Sequence, residues 1–113
     1  MKVSEVLRLK TVSQDGEVTI EGTFVMEHGI GYFVQSKEDM GEKSRAIMVN
    51  YPELERLLLS SVPAYAGSKY SYCNDAVITG VIKVSPQAVF PFAIGDIHNF
   101  SVRIYEESLM VLG

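Results

Sequence analysis

The chain has 113 residues, of which 47% are hydrophobic and 21% charged, a balance that fits one globular domain with a core of its own. Its net charge of −4 does not favour generic attraction to a phosphate backbone. Cys73, the single cysteine, cannot form an internal disulfide and has no Cys/His metal spacing around it, so no metal or cofactor is expected.

Glu5, Arg8 and Lys10 interrupt any apolar leader in the opening residues. The longest uncharged run, residues 84–95, is too short and too broken by proline to span a bilayer. A soluble, cytoplasmic protein with no membrane partner is expected.

In chain order, Val3, Val6, Leu7 and Leu9 recur at helical spacing, predicting a short helical turn within residues 3–11 with Ser4 as its cap. Ser13-Gln14-Asp15-Gly16 reads as a turn. The run from Glu17 to Met26 then alternates. Val18, Ile20, Phe24 and Met26 share one side and Glu17, Thr19, Glu21 and Thr23 the other, with Gly22 on the apolar side as the mark of a bend or bulge. A second strand, Ile30 to Gln35, follows Glu27-His28-Gly29 so closely that the two form a hairpin. Its more apolar set is Ile30, Tyr32 and Val34, which places Phe33 and Gln35 on the outer face. A polar loop leads to a third strand, residues 45–50, with Ile47 and Val49 inward.

Pro52, Glu53 and Glu55 suit the first turn of a helix over residues 52–60, with Leu54, Leu57 and Leu58 as its apolar stripe and Val62-Pro63 as its stop. Residues 64–75 read as a loop holding Tyr65, Tyr70 and Tyr72, whose rings either clamp a ligand beside Lys69 or cover the barrel bottom. A fourth strand, residues 76–84, repeats the first in design: Ile78, Ile82 and Val84 share a face that Gly80 interrupts. The segment 85–95 is a long loop, and Ile97 to Tyr105 alternate as a fifth strand. The tail Leu109 to Leu112 is apolar and must pack, either on this domain or as an added strand on a partner.

The order is therefore β-β-β-α-β-β: an all-β domain with one helix, spanning residues 1–113, and a short N-terminal helical turn. Through Val18-Thr19-Ile20-Glu21-Gly22, Gly31-Tyr32-Phe33-Val34, the helix after strand three and Val77-Ile78-Thr79-Gly80, it resembles the oligonucleotide/oligosaccharide-binding (OB) fold. That resemblance implies a five-stranded barrel with the helix at one end and ligands on the face of strands two and three.

Neither His28 nor His98 sits in a catalytic or zinc spacing, and no phosphate-binding glycine loop or nucleophile elbow is present, so binding rather than catalysis is expected. The first expectation is single-stranded DNA or RNA on the strand two–three face, with Phe33 stacking, Gln35 beside it, and Lys37, Arg45 and Lys83 near phosphates. Glu17, Glu21, Glu38, Asp39 and Glu42 oppose it with negative charge around the same surface. The alternative is a protein-interaction or assembly module, with a protein partner or a homo-oligomer engaged through Phe90, Phe92 and Ile94 of the Val89–Ile94 loop and the C-terminal tail. That loop has a plainer role open to it, folding back as a cover on the barrel.

Overall fold

The computed structural model describes residues 2–8, 17–62, 70–104 and 106–112. Helix α1 (Val3–Leu7) precedes strands β1 (Glu17–Glu27), β2 (Ile30–Val34) and β3 (Ile47–Val49). Helix α2 (Leu54–Ser61) and strands β4 (Tyr70–Lys83), β5 (Phe92–Ile104) and β6 (Glu107–Leu112) follow. The strands run in the order β3-β2-β1-β4-β5-β6, and a parallel β3–β5 pairing closes the first five into a barrel. This is an OB-like topology, with α2 inserted between β3 and β4 and β6 added outside the ring.

The β1–β2 hairpin turns on His28 and Gly29, both at positive φ (53° and 79°), the pattern of a type I′ turn. That two-residue turn fixes the register, which runs from Glu27↔Ile30 back to Thr23↔Val34. Opposed residues of an antiparallel pair share a face, so the inward Phe24 carries its partner Phe33 inward with it. Phe24, Phe33, Tyr72 and Phe100 form the aromatic centre of the core, with Phe24 and Phe100 edge to face at 5.1 Å between centroids. The assignment of Phe33 to the outer face is thereby corrected: Phe33 has 0% exposure.

Both strand glycines stand where two segments approach too closely for a side chain. A Cβ on Gly22 would lie 2.7 Å from the Val34 carbonyl oxygen and 2.8 Å from Val3 Cγ2. On Gly80 it would lie 2.5 Å from the Gly95 carbonyl oxygen. Only the second coincides with a bulge. Register is unbroken through Gly22, whereas between Thr79↔Asn99 and Val81↔Gly95 the β5 strand takes up extra residues, and Asp96 there adopts φ 47°.

Several boundaries differ from those read in the sequence. Strand β3 is shorter because a 3-10 turn, Lys43–Arg45, takes up Arg45 and leaves Ala46 donating to the Lys43 carbonyl. Helix α2 starts at Leu54, since Glu53 is left-handed (φ 58°); it ends where expected, with Val62 extended. Strand β4 starts at Tyr70, six residues before the predicted start, because β1 continues past Thr23 and gives Asp75, Asn74, Cys73 and Tyr72 partners. Strand β5 starts at Phe92, since residues 92–94 pair with β3 and, of these, Ala93 and Ile94 pair with β4 as well. The apolar tail is β6, antiparallel to β5, with Val111 buried. Lys2 rather than Ser4 stands at the start of α1: the Ser4 N–H donates to Gln35 Oε1 at 2.9 Å. The predicted turn at residues 13–16, Tyr65 and Lys69 lie outside the described residues.

Candidate functional site

The outer face of β2 and β3 is where the sequence placed a ligand surface. Turned outward there are Val25 of β1, Tyr32 and Val34 of β2, and Ala46 just before β3. All four have 0% exposure, because loop residues close over them. Phe90, from the β4–β5 connection, lays its ring on Tyr32 at 5.5 Å between centroids and is itself 3% exposed. Met40 from the β2–β3 connection, with Ile30, Met48 and Cys73, completes this second apolar cluster. The Cys73 thiol donates to Met40 Sδ at 3.0 Å. Burial raises its pKa; the nearby Lys37 ammonium pulls it down and the Asp75 carboxylate pushes it up.

The expected ligand residues do not converge. Phe33 is inside the barrel. Arg45 pairs with Asp39 (3.5 Å) on the β2–β3 connection. Lys83 pairs with Asp96 (2.8 Å) and lines a separate recess with Asn50, Tyr51, Pro52 and Ile97. Gln35 is exposed but spends its amide oxygen holding α1. Lys37 is exposed and borders a polar recess of about 270 Å³ with Cys73, Asn74, Asp75 and Arg103.

That recess adjoins a larger groove of about 380 Å³ across the outer faces of β1, β4, β5 and β6. Lys2 and Arg103 stand against Glu21 and Asp75 in it, over a floor that includes Gly22, Ala76 and Val77. The charges are mixed and close to balanced. Sequence reasoning missed this groove because its residues come from four strands, and only the β1–β4–β5–β6 register sets Thr23, Asp75, Arg103 and Ser108 in one row.

The partner-binding residues also need correction. Ile94 has 0% exposure and Phe92 is half-buried against the main core, since both belong to the seam that closes the barrel. Phe90 is the buried anchor just described, so the segment folds back as a cover. What the loop exposes is its other side. Val84 is 78% and Val89 56% exposed, with Pro86, Ala88 and Pro91 exposed between and beside them. The loop is held by the Phe90 N–H donating to the Gln87 carbonyl (3.1 Å) and by the Ser85 hydroxyl, which donates to that carbonyl (2.8 Å) and accepts from the Gln87 N–H (3.1 Å).

His98 Nε2 meets Glu17 Oε2 at 2.8 Å, both side chains well exposed. Among the described residues no three His, Cys, Asp or Glu side chains gather as a metal site, and no helix is long and apolar enough to cross a membrane. Comparison with known proteins returns no matching family model, no matching curated protein and no matching solved structure.

Proposed function

We propose that this OB-like barrel is a binding module rather than a catalyst, and that its partner is a protein engaged by the β4–β5 loop. The observation that carries this reading is the two-sidedness of residues 84–91: Phe90 is buried on Tyr32, and the opposite side presents Val84, Val89, Pro86, Ala88 and Pro91 to solvent. An apolar surface that is already anchored loses little conformational freedom on binding. Full burial of one valine contributes about 1.5 kcal/mol; covering the exposed parts of Val84 (78%) and Val89 (56%) therefore supplies about 2 kcal/mol, roughly thirtyfold in affinity.

Nucleic acid fits the geometry less well. Stacking needs exposed aromatic faces, whereas Phe33 is in the core and Tyr32 lies beneath Phe90. Arg45 and Lys83 already face carboxylates.

A photo-crosslinking residue at position 89, in the cells that make the protein, is expected to trap a discrete protein adduct. The same residue at Ser60 should not, and Val84→Glu should abolish the adduct. Equal adducts at both positions, none at 89, or low-salt binding of the purified chain to oligonucleotide homopolymers would overturn the reading.

A further inference from the structure

The groove across β1, β4, β5 and β6 holds hydrogen-bonding and charged groups that the chain itself leaves unmatched. Thr23 lines it at 3% exposure, and its hydroxyl makes no hydrogen bond among the described residues. Buried polar groups in native proteins are nearly always paired. Lys2, Glu21, Asp75 and Arg103 line the same groove, yet among the described residues none of the four joins an ion pair. Elsewhere on the surface adjoining opposite charges do pair, as in Arg45–Asp39, Arg56–Glu53 and Lys83–Asp96.

The sheet register sets these groups in a definite order. Thr23 and Asp75 are opposed on β1 and β4, so their side chains share the outer face at about 5 Å between Cα atoms. Glu21 stands two residues along β1 on that face, opposite Val77, which makes Asp75 its diagonal neighbour at about 7–8 Å. Glu21, Thr23 and Asp75 thus mark a triangle of oxygen-bearing side chains. Arg103 follows Asp75 one strand further on, because Ala76↔Val102 fixes the register. At the other end the Lys2 backbone pairs with Glu21. Across the groove the order is cation, carboxylate, carboxylate, cation.

We propose that this groove binds a dicarboxylic amino acid, its ammonium in the Glu21–Thr23–Asp75 triangle and its two carboxylates toward Arg103 and Lys2. A primary ammonium carries three N–H donors, and the triangle offers three acceptors, the buried Thr23 hydroxyl among them. The Arg103 guanidinium takes a carboxylate in a fork of two hydrogen bonds. An anion–ammonium–anion ligand mirrors the order of charges across the groove. A plain anion would meet Glu21 and Asp75, and a plain amine would meet Lys2 and Arg103. A volume of about 380 Å³ lies at the small end of ligand sites, and Val77, 37% exposed in the floor, faces the ligand's methylenes. The site shares no residue with the β4–β5 loop surface and does not rest on that reading.

Calorimetric titration of the full chain with L-glutamate and with L-aspartate tests the proposal, and saturable binding of at least one below about 10 mM is expected. The analogue without the ammonium (glutarate or succinate) and the one without the α-carboxylate (γ-aminobutyrate or β-alanine) should each bind about tenfold or more weakly, the effect of losing a charge-assisted hydrogen bond. Thr23→Val, Asp75→Asn and Arg103→Gln should weaken binding to a similar degree. Asp75 and Arg103 are exposed, so those two variants should melt as the wild type does, and their loss of binding is not a loss of fold. No saturation by either amino acid at about 10 mM, equal binding of an analogue, or binding indifferent to Asp75→Asn and Arg103→Gln would each overturn the proposal. Val84→Glu should bind as the wild type does, so this site and the loop surface fail or stand separately.

Discussion

Phe90→Ala is the substitution that most directly probes how the β4–β5 loop is held. The ring is 3% exposed and packs on Tyr32 over Val25, Val34 and Ala46. A phenylalanine buries roughly 150–250 Å², which at about 25 cal/mol per Å² comes to about 4–6 kcal/mol, an upper estimate. Core Phe→Ala changes cost about 3–5 kcal/mol. Here the cavity opens beneath a surface connection rather than at the centre of the barrel, so the lower figure applies, about 3 kcal/mol. Native domains have about 5–15 kcal/mol in hand, so the variant should still fold. Urea unfolding should show the loss as a lower midpoint. Hydrogen exchange should show faster exchange confined to β2, β3 and the two connections, and an apolar dye should bind the uncovered Val25–Tyr32–Val34 face. A loss below about 1 kcal/mol with unchanged exchange in β2 would refute the idea that Phe90 anchors the loop.

Two further outcomes follow from the barrel itself. Gly80→Ala drives a methyl to 2.5 Å from the Gly95 carbonyl oxygen and 3.0 Å from Ile94 Cγ1. Overpacking of this kind costs about 1–3 kcal/mol, and the lower chain entropy of alanine returns about 0.5 kcal/mol, so thermal unfolding should fall by several degrees; no change would mean that the close approach is not a constraint. Tyr72→Phe removes the hydroxyl that donates to the Val62 carbonyl at 2.7 Å and should cost about 1 kcal/mol at neutral pH. Burial, with Glu55 adding to it, raises the Tyr72 pKa, so the folded state favours the neutral phenol. That contribution is complete below the unfolded value of about 10 and is lost as pH rises through the folded value, so the gap between wild type and Tyr72→Phe should narrow above about pH 10. Parallel stability curves up to pH 11 would exclude this role.

The barrel was legible in the sequence because its signals are local. Alternation marks β1, the two-residue turn marks the hairpin, Pro52 to Ser60 carries one leucine stripe, and Gly22 and Gly80 interrupt apolar faces. The orientation of Phe33 was legible too. Once His28-Gly29 is taken as the turn, Phe24 must oppose Phe33, and one inward residue fixes the other. Counting apolar residues along Ile30, Tyr32 and Val34 led elsewhere because β2 is buried on both faces, where alternation loses its meaning. What covers the second face comes from Phe90, nearly sixty positions downstream of Tyr32, and no local pattern announces it. Tyr70 to Asp75 reads as a loop by composition, yet pairing with β1 makes it strand, a case of tertiary context overriding propensity.

The seam of the barrel rests on three residue pairs, Ile47↔Phe92, Met48↔Ala93 and Val49↔Ile94, whose members are 45 positions apart. The β1–β2, β1–β4 and β4–β5 walls are a hairpin or long antiparallel ladders, and the two-pair β2–β3 wall joins strands only 14–16 positions apart. Closing a loop of that length for three rungs of parallel pairing is a poor exchange of chain entropy for hydrogen bonds until the rest of the wall stands. The ring should therefore zip from β1 outward and shut last at β3–β5. On unfolding the same seam is the first to part, so the barrel opens like a cuff, with its β1–β4 spine still intact.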